Sequence, residues 1–361
     1  MKKLKIGDLN ISFPLIQGGM GVGVSLSGLA SAVANEGGVG VISSAGLGLL
    51  SKYNGASYPE ANILGLRDEL RKTRENTKGV IGVNIMVAMS NFGDMVNTAI
   101  EEKADIIFSG AGLPLNMPGY LKEDSVTKLV PIVSSGKAAK IICEKWKNQH
   151  DYLPDAIVVE GPKAGGHLGF KINQITDENY SLEHILPDVV TIAREYEDKY
   201  NVTIPVIAAG GVYTGKDIHD MFKLGASGVQ MGTRFVTTTE CDASDAFKQT
   251  YINAKAEDVE IINSPVGMPG RAIKNDFIEK IKQGYKQPLR CPFKCIRTCD
   301  ISSSPYCIVN ALLNALKGNF ENGYAFAGTN AYLAEKIISI KETFENIKKE
   351  FRVCNEKVVS L

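Results

Sequence analysis

Through the first two-thirds of the chain, short apolar runs rich in β-formers alternate with amphipathic or alanine-rich stretches. The runs fall at residues 13–17, 39–42, 80–85, 104–108, 129–133, 156–159, 205–209 and 228–231. Helical patterns occupy 26–35, 61–74, 92–102, 137–148, 182–198 and 216–224, and a further one, 243–254, follows the eighth run. Eight strands alternating with helices predict a parallel (β/α)8 TIM barrel, because a doubly wound open sheet needs fewer units. From about Asp258 the pattern changes. A proline- and glycine-marked segment, Ser264-Pro265-Val266-Gly267-Met268-Pro269-Gly270-Arg271, leads into a cysteine-containing stretch and then helical patterns at 306–316 and 331–349. Residues 1–257 therefore read as the barrel, and 258–361 as a mainly helical C-terminal cap closing over a ligand. The cap is either part of the same domain or a separately folding unit.

In such a barrel, chemistry gathers at the C-terminal ends of the strands. Those ends are small or amide-bearing: Gln17-Gly18-Gly19-Met20, Ser43-Ser44, Asn84, Ser109-Gly110, Ser134-Ser135, Gly210-Gly211 and Gly232-Thr233. A catalytic metal would call for several His, Asp or Glu residues there. Glycines, hydroxyls and amides suit a large, flat, neutral-to-anionic ligand instead. The sixth strand runs into Glu160-Gly161-Pro162-Lys163-Ala164-Gly165-Gly166-His167-Leu168-Gly169, which puts a single imidazole at a strand end. Histidine exchanges protons near neutral pH, so His167 is a candidate base; the bland alternative is a histidine that caps a loop. After strands seven and eight, Gly210-Gly211 and Gln230-Met231-Gly232-Thr233 offer backbone N–H groups where barrels commonly hold a phosphate. Neither segment is a GxGxxG fingerprint of a two-layer nucleotide fold.

Forty basic residues balance forty acidic ones, so no net field draws nucleic acid or an anionic membrane. No apolar run reaches the length of about 18 residues that a membrane span needs. The start, Met1-Lys2-Lys3-Leu4-Lys5-Ile6, continues into polar Gly7-Asp8-Leu9-Asn10 rather than an apolar signal core, and a cytoplasmic protein is expected. Seven cysteines in a chain of 361 residues fit free thiols in a reducing compartment. Four of them, Cys291, Cys295, Cys299 and Cys307, are separated by three, three and seven residues. They lack the paired CxxC knuckles of a zinc site, so free thiols are expected, with zinc or iron–sulfur ligation as the alternative.

The chain resembles the FMN-dependent nitronate monooxygenases, formerly 2-nitropropane dioxygenases, and the related flavin-type enoyl-acyl-carrier-protein reductases. The matching stretches are Pro14-Leu15-Ile16-Gln17-Gly18-Gly19-Met20-Gly21, Gly82-Val83-Asn84-Ile85, Glu160-Gly161, Ala164-Gly165-Gly166-His167, 205–211 and Val229-Gln230-Met231-Gly232-Thr233. They cover the whole expected barrel in order. The resemblance implies FMN, with its phosphate on Gly211 and on Gln230, Met231, Gly232 and Thr233. It implies ring contacts from Gly19, Met20, Asn84, Glu160 and Gly165, and makes His167 the active-site histidine that deprotonates a nitroalkane or orients its nitronate. Position 160 is often glutamine in the monooxygenases and glutamate in the reductases. Lys137 or Lys140 could place positive charge near the ring's N1–C2 edge, where it would stabilise reduced flavin; exposed helix lysines are the alternative.

Two reactions are therefore open on this scaffold. In the first, an alkyl nitronate and oxygen give a carbonyl compound and nitrite, without NAD(P)H. In the second, NAD(P)H supplies hydride for an enoyl thioester; 82–86, 110–112 and 271–275 look at least as much like the reductases. A non-redox barrel enzyme or phosphate-ligand binding protein is the third reading. The expected partner is a small-molecule substrate, with neither nucleic acid nor membrane, and the resemblance makes a homodimer plausible.

Overall fold

The computed structural model describes residues 1–53, 55–287, 291 and 293–359. An antiparallel hairpin, β1 (Leu4–Ile6) and β2 (Leu9–Ile11), opens the chain. Eight parallel strands then close a barrel: β3 (Leu15–Gln17), β4 (Val39–Ser43), β5 (Val80–Met86), β6 (Ile106–Gly110), β7 (Lys128–Val133), β8 (Ile157–Glu160), β10 (Val206–Ala209) and β11 (Gly228–Met231). The two-residue strand β9 (Gly166–His167) lies outside the barrel and belongs to a three-stranded sheet with β12 (Val259–Asn263) and β13 (Pro269–Ile273). The barrel closes through β11 and β3, where Gln230 pairs with Ile16.

All eight apolar runs of the sequence become barrel strands because each is buried on both faces. One set of side chains, including Ile16, Val41, Phe108, Val130, Val158 and Ile207, fills the interior together with Leu4, Ile6 and Ile11 of the hairpin. The alternate set, including Leu15, Ile42, Val83, Ile107, Leu129 and Val159, packs against the helices. The β3–β4 ladder is short, and the buried side chain of Gln17 extends it: Nε2 donates to the Val41 carbonyl at 3.1 Å and Oε1 accepts from the Val41 N–H at 2.9 Å. At Gly40 a Cβ would lie 1.8 Å from the Ala30 carbonyl oxygen, so only glycine lets the first helix, Ser27–Asn35, approach β4.

Three features of the outer layer and cap depart from the sequence reading. The helix expected at 243–254 forms as Asp245–Asn253, but Phe247 and Tyr251 bury it against Ala315, Leu316 and Ala331 in the cap. The eighth place in the ring goes instead to Ile340–Val359, packed between Ser27–Asn35 and Gly215–Lys223. The helix expected at 331–349 begins only at Ile340, because the preceding segment bonds elsewhere: Thr239 N–H donates to the Ile338 carbonyl at 2.9 Å and Ile338 N–H to the Thr237 carbonyl. The cap also opens with the β12–β13 hairpin, where the sequence reading placed only a proline- and glycine-marked segment. Its β-branched run Val259-Glu260-Ile261-Ile262 and the left-handed Gly267 at its turn (φ 81°) favour that form. Helices Asp276–Lys282 and Ile308–Leu316 follow. Within the cap segment, residues 288–290, 292 and 360–361 lie outside the described residues. Among the described residues, no helix is long and apolar enough to cross a membrane.

Candidate active site

The C-terminal strand ends and the cap enclose one cavity of about 280 Å3, near the lower end of the range of about 300–1,000 Å3 for small-molecule sites. Gly19 and Met20 enter it from the turn after β3, Asn84 from β5, and Glu160 from the last position of β8. Gly165 and His167 come from the loop and short strand that follow, and Gly211 from the turn after β10. Gln230, Met231, Gly232 and Thr233 come from the end of β11 and the start of the next helix. Beyond Lys163, Gly210 and Gly211 the cavity continues into a surface groove of about 630 Å3. Lys137 and Lys140 do not line it; both stand exposed on the helix Gly136–His150.

Glycine is required at several of these points by close approach. A Cβ at Gly19 would lie 2.3 Å from Asn84 Cβ, and one at Gly165 would lie 2.6 Å from the backbone of the Ala327–Gly328 peptide. Gly210 and Gly211 both have left-handed backbones (φ 86° and 97°), which turn the chain sharply at the top of β10. Among the described residues, the N–H groups of Gly211 and Gly232 donate to no protein acceptor. Two unpaired donors at the mouth of adjacent strands form the kind of cradle that a phosphate satisfies. The donor set therefore fits a flavin phosphate, with Lys163 as the nearby cation.

Of the titratable groups on the cavity wall, Glu160 and His167 are the two whose shifts bear on charge at neutral pH. Burial raises the Glu160 carboxyl to about 7, and burial lowers the His167 imidazole to about 4. At pH 7 the imidazole is therefore neutral. Its Nε2 is 2.8 Å from Ser264 Oγ, and its ring meets Phe326 edge-on with centroids 5.0 Å apart. The backbone of His167 is fixed as well, since β9 pairs with β13 through Gly270 and Leu168 N–H donates to the Pro269 carbonyl at 2.9 Å.

Several residues that hold this arrangement escape the sequence reading. Arg271, 7% exposed, donates from its buried guanidinium to the carbonyls of Pro162 and Ala164, the latter at 2.9 Å. With no carboxylate beside it, burial lowers its pKa to about 10. Tyr251 donates its hydroxyl to the Phe326 carbonyl. The segment Ala327-Gly328-Thr329-Asn330 straps the Gly211 and Thr233 end of the cavity: Gly328 N–H donates to Thr233 Oγ1 at 3.1 Å, Thr329 N–H to the Lys163 carbonyl at 3.1 Å, and Asn330 Nδ2 to the Gly211 carbonyl at 2.7 Å. Its Gly-Thr-Asn composition was the available signal. Apolar side chains including Met86, Met89, Val266, Met268, Ile308 and Leu312 line another part of the cavity. Cys295 also lines it, and Cys291, Cys295, Cys299 and Cys307 are all free of disulfides. Among the described residues, no group of three or more His, Cys, Asp or Glu side chains could hold a metal ion.

The sequence model of the nitronate monooxygenase family matches residues 2–350. The chain belongs to the nitronate monooxygenase family. It is an oxidoreductase of the nitronate monooxygenase type, and the family is flavin-dependent. It is 29% identical over 311 residues to a probable nitronate monooxygenase of Staphylococcus aureus, covering 76% of this chain and 79% of that one. It is also 29% identical over 278 residues to the (3aS,4S,5R,7aS)-5-hydroxy-7a-methyl-1-oxo-octahydro-1H-indene-4-carboxyl-CoA dehydrogenase of Mycobacterium tuberculosis, covering 77% and 68%. Among solved structures, FabK from Thermotoga maritima superposes with a TM-score of 0.74 at 29% identity, over 97% of this chain and 96% of that one. A nitroalkane oxidase from Streptomyces ansochromogenes shares the fold, with a TM-score of 0.71 at 19% identity over 96% and 98%.

Proposed function

We propose that this nitronate monooxygenase family member binds FMN in the cavity and oxidises alkyl nitronates to carbonyl compounds and nitrite with oxygen. The observation that carries this reading is a strand-end cavity with an unpaired N–H cradle at one end and a neutral imidazole on its wall. Gly211, Gln230, Met231, Gly232 and Thr233 hold the phosphate, and Gly19, Met20, Asn84, Glu160 and Gly165 border the ring. When bound, the flavin supplies the electron transfer. His167 meets the substrate, exchanging a proton with it or hydrogen-bonding its oxygen. The cap's apolar side chains exclude water from that encounter.

A second reading, NAD(P)H-dependent reduction of an enoyl thioester, is favoured by Glu160 and by the apolar wall of Met86, Met89, Val266, Met268, Ile308 and Leu312, which suits an acyl chain. Anaerobic mixing of the purified protein separates the two. A change in the flavin spectrum with an alkyl nitronate, and none with NADH or NADPH, is the expected result; bleaching by NADH or NADPH alone assigns the second reading. Protein that is colourless and takes up no added FMN defeats both.

A further inference from the structure

Ser264 sits at the turn between β12 and β13, is 7% exposed, and places its Oγ 2.8 Å from Nε2 of His167. A hydroxyl has one hydrogen to give, and a buried hydrogen needs an acceptor. The Val266 N–H donates to Ser264 Oγ at 3.5 Å. Among the described residues, the only acceptor that the Ser264 hydroxyl reaches is the imidazole. The hydroxyl therefore donates to Nε2. A neutral imidazole carries a single proton, so that proton sits on Nδ1, which makes no hydrogen bond to protein among the described residues.

We propose that Ser264 is a positioning residue that holds His167 as its Nδ1–H tautomer, so that the ring offers the bound substrate a hydrogen-bond donor rather than a lone pair. The matching chemistry on the substrate is an oxygen acceptor, which both a nitronate and a thioester carbonyl possess. The cap thereby sets the character of the active-site group: the hairpin that carries Ser264 also pairs its backbone with His167 through Gly270. The other titratable groups on the cavity wall, Glu160, Lys163, Tyr58, Tyr213, Tyr251 and Cys295, make no hydrogen bond to His167 among the described residues. Arg271 of β13 is turned to the Pro162 and Ala164 carbonyls.

The inference rests on His167 being the group that meets the substrate, and its test separates the two. Nitrogen-15 NMR of the histidine-labelled flavoprotein, with His167 assigned by its loss in His167→Asn, should show a protonated Nδ1 and a bare Nε2 at pH 7. Ser264→Ala should populate both tautomers, keep FMN bound and lower kcat/KM by about tenfold, the scale of one hydrogen bond. Ser264→Thr should restore the tautomer and most of the activity, and in the His167→Asn background Ser264→Ala should change nothing further. A proton on Nε2 in the wild type, or a tautomer ratio unmoved by Ser264→Ala, overturns the proposal; the wild-type spectrum decides even where the alanine variant fails to fold. The expected tautomer combined with full turnover in His167→Ala would instead defeat the catalytic reading and leave the tautomer assignment standing.

Discussion

Glu160→Gln should stabilise the flavin-free protein above neutral pH and leave it unchanged in acid. Glu160 ends β8 facing the cavity, and burial alone raises its carboxyl from 4.5 to about 7. Below pH 4.5 both the folded and unfolded chains hold the proton, so the group contributes nothing. Between pH 4.5 and about 7 the unfolded chain ionises first and folding stability falls; above about 7 the loss is constant. At about 1.4 kcal/mol for each tenfold change in the ionisation constant, the full loss approaches roughly 3 kcal/mol. Glutamine keeps the shape and cannot ionise. Urea unfolding can be followed by the fluorescence of Trp146, the single tryptophan and fully buried. The difference between variant and wild type should be near zero at pH 4.5, climb through neutrality and level off by pH 8.5. His167 loses stability in the opposite direction, as pH falls below 6.5 towards about 4, but it is present in both proteins and cancels in the difference. A difference that is flat with pH, or that grows towards acid, would refute the account of Glu160.

Further outcomes follow from the same geometry. His167→Ala should retain flavin, measured by absorbance, while steady-state turnover falls by roughly 10² to 10³, the cost of losing one positioned hydrogen-bond donor to the substrate oxygen. Gly211→Leu should yield protein without flavin, because a side chain at φ 97° is strained and occupies the phosphate's approach; full flavin content would count against that cradle. Arg271→Met leaves the Pro162 and Ala164 carbonyls without their donor and should lower urea stability by about 2–4 kcal/mol along with flavin affinity. Gly40→Ala should fail to give folded protein by circular dichroism, since its Cβ would overlap the Ala30 carbonyl oxygen.

The barrel was legible in the sequence because its strands are buried on both faces and its helices on one, so burial itself wrote the alternation into residues 13–231. The strand-end glycines were legible for a related reason, as close backbone approach leaves a composition that no surface loop needs. What stayed hidden depends on contacts across the chain. Nothing local at Ser264 announces that it bonds a histidine 97 residues earlier, and nothing local at Arg271 announces the two carbonyls that its guanidinium serves. The helix at Asp245–Asn253 was found, but its place in the cap rather than in the ring is decided by Ala315 and Leu316, far along the sequence. Lys137 and Lys140 failed as flavin-side charges because position near a strand end does not fix which way a helix face turns.

The helix Ile340–Val359 also bears on how the protein is made. It seals the barrel wall through Phe344, which packs on Phe13 and Phe235 with ring centroids 5.1 and 6.2 Å away, and through Glu350, which pairs with Arg234 at 3.0 Å. A ribosome reaches this helix only after the entire cap has been synthesised. The apolar surface that Phe344 covers on Phe13 and Phe235 is therefore bare in the nascent chain until the cap has been made. A circular permutant that begins with this helix and continues into the β1–β2 hairpin would cover that surface during synthesis, and its yield relative to the natural order would measure what the delay costs the cell.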